Sequence, residues 1–267
     1  MKTREILLSV AYFAIAAAFD LLHAGLPAAF FAFPVNAALA ALLAGGLYVL
    51  NREFHGSRAV VMLSSVRTTA VLLCVFAVCC LVVAFQPDAA FTGSCIFNAS
   101  LLLVAVNLYL AVLRYRGRRR FRFLMNHIGI LLFICGLSLG SADMRKLKVR
   151  LEQGESTEIA YDNDGVPASL GYEMRLDRFT AGFHASGVPS SFCADISVDG
   201  VRHRLEVNSP WRRSWKEDVY LSGYDMSDDD SLSAVIEIVV QPWKYIVLLG
   251  CLMMMLGSVL LIFGGRR

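Results

Sequence analysis

His127, in the run Leu124-Met125-Asn126-His127-Ile128-Gly129, is the residue best placed to do chemistry in this chain. It falls near the start of a long apolar run, where an ionisable side chain is costly unless it has a partner or a task. A neutral imidazole there can ligate a metal or haem iron, and Gly129 would let a flat ligand or a neighbouring helix come close. A second reading stands beside it: an interfacial histidine hydrogen-bonded to Asn126 or to a lipid headgroup, which residue type alone favours. His23, beside Asp20, reads as a wet interfacial residue, and His184 and His203 carry no metal-ligand spacing.

Cysteine usage narrows the chemistry further. Cys74, Cys79, Cys80, Cys135 and Cys251 sit inside apolar runs and read as small packing residues. Cys95 and Cys193 are the two that could meet an oxidising compartment, and nothing in their spacing supports a disulfide between them. The absence of CxxC argues against a dithiol oxidoreductase, and the absence of CxxCH means the chain is not itself a c-type cytochrome. No Ser/His/Asp set, phosphate-binding glycine loop or closed metal site occurs, so no acid, base or nucleophile is assigned.

The elements that must position His127 are apolar. Hydrophobic residues make up 57% of the chain, against a usual share of about 45–50%, and a membrane span needs about 20 mostly apolar residues. Six spans are expected, at 6–22, 34–50, 68–85, 95–113, 123–140 and 245–263. The first resembles a signal peptide in its basic start, but it lacks a small-residue cleavage site and is expected to be retained. Basic residues at Lys2/Arg4, Arg52/Arg58/Arg67, Arg114–Arg122 and Arg266/Arg267 mark cytoplasmic flanks, while segments 23–33 and 86–94 hold no Lys or Arg. Both termini are therefore expected inside, and segment 141–243 outside.

That segment changes character, holding 18 of the 22 acidic residues. Leu147-Lys148-Val149-Arg150-Leu151 alternates, as do Ile196–Val198 and Val201–Val207 on either side of Asp199-Gly200, a hairpin signal because both turn positions favour positive φ. Further strands are expected at 157–161, 172–177, 219–224 and 234–240. About seven short strands predict an antiparallel sandwich or barrel-like domain. The fold class is thus a polytopic α-helical membrane protein with an extracytoplasmic β domain between its last two helices. Its parts are a membrane domain at 1–140, a β domain at 141–243 and a last helix with cytoplasmic tail at 244–267. Gly129, Gly136 and Gly140, with Ser138 and Ser141, give the fifth span a small-residue face suited to a tight partner helix, within the chain or from another subunit.

The Arg114–Arg122 run has a nucleic-acid-like composition. Pinned between two spans, it reads instead as a topological anchor that attracts anionic lipid, so the bilayer is a partner and nucleic acid is not. Contact with an anionic cytoplasmic ligand, such as the propionates of haem, is a third possibility.

From Asn126 onward an ordered set of short motifs resembles the ResB/CcsB family of cytochrome c biogenesis proteins. These are Asn126-His127-x-Gly129, Gly136-Leu-Ser-Leu-Gly140-Ser-Ala-Asp143, Leu176-Asp177-Arg178-Phe179, Val207-Asn208-Ser-Pro210, Val219-Tyr220-Leu-Ser-Gly-Tyr224-Asp225 and Gln241-Pro242-Trp243. The resemblance implies a system II role, in which such a subunit works with a CcsA/ResC-type subunit to carry haem b across the inner membrane. There the haem joins the CxxCH thiols of apocytochrome c. It also implies that His127, matching the family's histidine in the helix before the external domain, is an axial haem ligand in transit. The partner's tryptophan-rich segment has no counterpart here, since Trp211 and Trp215 merely flank two arginines. A holocytochrome c synthase complex would therefore need another polypeptide, this chain being a non-catalytic or co-catalytic subunit. The competing reading from another class is a non-haem scaffold whose β domain binds a partner protein. A small-molecule transporter is weaker, for want of an inverted repeat.

Overall fold

The computed structural model describes residues 31–85, 94–117, 120–183, 189–228 and 231–263. The chain divides into two compact units: Met1–Ala142 with Tyr245–Arg267, and Asp143–Lys244. The expected span at 6–22, with His23, lies outside the described residues, as does His184.

The first unit is helical: α1 (Val35–Glu53), α2 (Arg58–Leu63), α3 (Val66–Phe85), α4 (Cys95–Arg114), α5 (Arg120–Gly140) and α6 (Lys244–Phe263). All but α2 are long and apolar enough to cross a membrane. Their outward faces carry Leu42, Val78, Leu81 and Ile262 exposed, an arrangement that only an apolar surrounding would favour, and the chain is a membrane protein. The helices overrun the expected spans at Glu53, Val66, Arg114 and Arg120, because polar and charged residues at an interface continue the helical hydrogen bonding that apolar counting ignores. Ser57 and Ser94 cap α2 and α4 by accepting from Val60 N at 3.3 Å and Phe97 N at 3.2 Å.

Among the described residues of this unit few polar side chains are buried, and each has a bonding reason. Asn107 on α4, 3% exposed, accepts from Thr69 Oγ1 of α3 at 2.8 Å and donates to Leu63 O of α2. Asn36 donates to Leu139 O at 2.9 Å, tying the start of α1 to the end of α5. With apolar surroundings offering no competing water, such bonds fix which helices meet.

The tight partner expected for α5 is α6 of the same chain. A Cβ added at Gly129 would lie 2.8 Å from Gly250 O, one at Gly250 2.7 Å from Gly129 O, and one at Gly136 2.8 Å from Val247 Cγ2. The two helices run antiparallel, and the seven-residue spacings of Gly129/Gly136 and Gly250/Gly257 place all four glycines on the shared face.

The second unit is one antiparallel sheet of eight strands: β1 (Arg145–Glu152), β2 (Ser156–Tyr161), β3 (Pro167–Phe183), β4 (Pro189–Val198), β5 (Val201–Glu206), β6 (Trp211–Arg212), β7 (Glu217–Asp228) and β8 (Ser231–Val240). Their order is β5-β4-β3-β2-β1-β8-β7-β6. Asp199 and Gly200 turn the β4–β5 hairpin with φ of 49° and 81°, as the Asp-Gly signal requires. Alternation then delivers Val149, Leu151, Met174, Leu176, Ile196, Leu205, Val219, Ile236 and Ile238 to a common core. The sheet rolls up, since side chains from distant positions in its order meet. Tyr172 of β3 bonds Glu217 of β7, Phe192 of β4 stacks on Tyr224 of β7, and His203 of β5 stacks on Trp211 of β6. Where about seven short strands were expected, β3 is far longer than 172–177. A register shift between Leu176 and Arg178 lets one strand bend through the roll instead of ending. With only two residues, β6 has no alternation to read.

Both ends of the β unit are clamped where the chain leaves it. Trp243 Nε1 donates to Asp143 Oδ2 at 2.6 Å, Lys244 Nζ meets Asp218 Oδ2 at 2.6 Å, and Gln241 N donates to Lys216 O at 2.6 Å.

Candidate functional site

His127 sits about two turns into α5, on a helix whose first turn is Arg120-Phe121-Arg122-Phe123. Its Nδ1 lies 2.9 Å from Phe123 O. A carbonyl only accepts, so Nδ1 carries the proton and the lone pair of the neutral ring is on Nε2. The backbone of α5 thus selects the tautomer that a metal would need. The imidazole is also held face-on: it stacks on Phe123 with centroids 3.6 Å apart and planes 19° apart. Phe123 in turn stacks on Tyr115 at 3.7 Å and 7°. Gly117 permits this column, because a Cβ there would collide with the Tyr115 phenol. His127 is half-buried, and its Nε2 makes no hydrogen bond among the described residues.

The Asn126 partner considered for His127 is not used. Consecutive helical residues point about 100° apart, and Asn126 faces α6, filling the space over Gly257 and accepting from Ser258 Oγ at 3.5 Å. Gly129 is likewise taken by a neighbouring helix, α6, rather than left for a flat ligand.

The other chemistry-bearing residues are dispersed. Cys193 is a buried free thiol, and Cys74, Cys79, Cys80, Cys135 and Cys251 are free as well. His203 is stacked on Trp211 at 3.6 Å within the seam of the rolled sheet. Among the described residues no group of three or more His, Cys, Asp or Glu side chains could hold a metal ion.

One cluster escaped sequence reasoning. Tyr172 Oη donates to Glu217 Oε1 at 2.7 Å, Arg213 Nη1 donates to Glu217 Oε2 at 3.2 Å, and the Arg213 guanidinium lies 3.8 Å over the Tyr172 ring. Burial, then the Glu217 carboxylate, pushes the Tyr172 phenol well above its ordinary range. Tyr220 is pushed up for the same first reason, with Asp218 adding to it. The available signal was phase: Glu217 alternates with Val219 and Leu221, which point inward, so a carboxylate there requires partners. Which partners was unreadable, since Tyr172 lies 45 residues away.

The sequence motifs converge in this structure. Asp143 and Trp243 bond each other, Phe179 and Tyr224 stack, and Asp177, at the β3 bulge, accepts from Ser197 Oγ at 2.5 Å. Residues 116–237, the stretch carrying most of these motifs, match the ResB-like family. This stretch is similar to the ResB-like family. The ResB-like segment takes in Tyr115's neighbour Arg116, the whole of α5 with His127, and the β unit to Glu237. It is the family of cytochrome c biogenesis proteins that the motifs resemble. Among curated proteins, none matches the chain. A solved structure, the cytochrome c heme lyase CcmF, aligns at 20% identity and a TM-score of 0.38, covering 95% of this chain and 44% of that one. The chain thus spans less than half the length of that solved protein.

Proposed function

We propose that this ResB-like chain is a membrane subunit of a system II cytochrome c maturation machinery, assisting haem delivery across the membrane and covalent attachment to apocytochrome c. The observation that carries the reading is the His127 geometry: a tautomer fixed by Phe123 O, a ring held by stacking, and Nε2 left for an iron. A ligand pre-set in this way loses little freedom on binding, and a hydrogen bond at the far nitrogen strengthens its basicity. Haem b is the cargo, and His127 supplies one axial ligand from this chain. A CcsA/ResC-type subunit supplies the second ligand and the attachment site. The basic flanks around Arg52–Arg67 and Arg114–Arg122 support cytoplasmic termini in the inner membrane, with the β unit extracytoplasmic. The chemistry expected of the complete machinery is thioether formation between reduced cysteine thiols and haem vinyl groups. The residues of this chain ligate, orient and exclude water.

The test is co-expression with its partner and haem quantification for the wild type and His127→Ala. Loss of bound haem, or a change in its axial-ligand spectrum, is expected. Unchanged content and spectrum would remove His127 from the account. A full-length wild type that carries no haem, together with pull-down of a partner by its β domain, would favour the non-haem scaffold instead.

A further inference from the structure

We infer that the rim of the β unit nearest its two tethers is a docking surface for anionic phospholipid headgroups. Arg145, Lys146 and Lys216 supply the charge and Trp215 supplies the interfacial anchor. Strand register puts these residues at one end of the roll. Arg145 is level with Val240 and Glu217 across three adjacent strands, and Gln241 N bonds the carbonyl of Lys216. All three cations are exposed, and among the described residues none has a carboxylate within ion-pair distance. Lys148 is set aside because Glu237 faces it on β8. Trp215, 58% exposed, stands next to Lys216. A large amphipathic ring left in water beside unpaired cations is the residue pairing found where protein meets headgroups.

Chain connectivity sets the distance. Gly140 ends α5 and Arg145 begins β1, and five residues at full extension reach at most about 18 Å. Gln241 lies three residues before Lys244, the first residue of α6. The rim residues are thus joined to the span ends by short stretches of chain, and their positive charge is complementary to an anionic leaflet. Its presence also has a cost that calls for a role: Arg145, Lys146, Lys148 and Arg150 follow directly on a span end, where Lys and Arg oppose the orientation set by Arg114–Arg122. This inference is independent of any haem chemistry.

The experiment uses full-length protein in lipid nanodiscs containing brominated lipid, with the Trp215 emission isolated as the difference between wild type and Trp215→Phe. In brominated phosphatidylglycerol discs at low salt, that component is quenched. Lys146→Gln raises the phosphatidylglycerol fraction needed for half-maximal quenching about fivefold, and the triple change Arg145→Gln/Lys146→Gln/Lys216→Gln abolishes it. Unaltered far-ultraviolet circular dichroism keeps a folding defect from imitating that loss. Quenching that is equal in phosphatidylcholine and phosphatidylglycerol, or unmoved by the triple change, overturns the inference. So does Trp215 emission that ignores lipid and shifts only when apocytochrome c is added, which would assign the rim to a protein.

Discussion

Replacing Gly250 by alanine tests the packing that fixes α5, and with it His127, in place. The added methyl would meet Gly129 O at 2.7 Å and Phe133 N at 2.8 Å, both backbone atoms, where ordinary contact begins at 3.4 Å. Neither atom can rotate away, so the helices must part by roughly 0.7 Å at the crossing, a gap that forfeits about a quarter to a half of each dispersion contact nearby. Overpacking of this kind costs about 1–3 kcal/mol, and alanine returns about 1 kcal/mol of helix propensity, leaving a net loss of up to about 2 kcal/mol. Gly46→Ala on α1, where an added Cβ meets nothing within 4 Å, is the matched control and should lose nothing. Gly129→Ala opposes the same contact from the other helix. The double change Gly129→Ala/Gly250→Ala should therefore cost less than the sum of its parts, as expected for residues sharing one contact. Unfolding of detergent-solubilised protein, followed by fluorescence-detected size exclusion across a denaturing detergent series, measures all four. Equal stability of Gly250→Ala and Gly46→Ala would refute the crossing.

Three further outcomes follow from the β unit and the His127 column. Tyr172→Phe removes the hydroxyl donor to buried Glu217 and should destabilise the unit by about 1–3 kcal/mol, read by pulse proteolysis of the full chain. Because the folded state holds the Tyr172 phenol above its ordinary value of about 10, its stabilising contribution is complete below that pH. It is lost as pH rises beyond, so the wild type should weaken on alkaline titration and Tyr172→Phe should lack that increment. Asp143→Asn trades a charge-assisted acceptor of Trp243 Nε1 for a neutral one and should cost about 1 kcal/mol, with altered Trp243 emission as the readout. Phe123→Ala removes the ring beneath His127 while keeping the backbone carbonyl that sets its tautomer. The haem-to-protein ratio of the complex should fall while any bound haem keeps the wild-type ligand spectrum.

Much of the helical unit was legible because apolar length and Lys/Arg placement act locally: a span must be about 20 residues long whatever surrounds it. The small-residue face at Gly129 and Gly136 was legible for the same reason, though its partner was not, since α6 lies more than a hundred residues away. Alternation revealed the interior of the sheet, and Asp199-Gly200 revealed its hairpin. Alternation could not show that the sheet rolls, because rolling depends on which of many inward residues meet, as Tyr172 meets Glu217. At His127, residue type identified the candidate and left its environment open. Helical periodicity separates it from Asn126 by about 100°, but only coordinates reveal that Phe123 O takes the Nδ1 proton. Lys148 and Arg150 were read as the polar half of a strand pattern, which hid the rim cations Arg145 and Lys146 as a group at a span end.

The central claim is that Nε2 of His127 binds haem iron, and cavity complementation tests it most directly. His127→Gly is prepared with the co-expressed partner, and its haem spectrum is recorded with and without added imidazole. The account predicts loss of the wild-type ligand spectrum and its return on adding imidazole to the vacated site. A wild-type spectrum in His127→Gly without imidazole would contradict it.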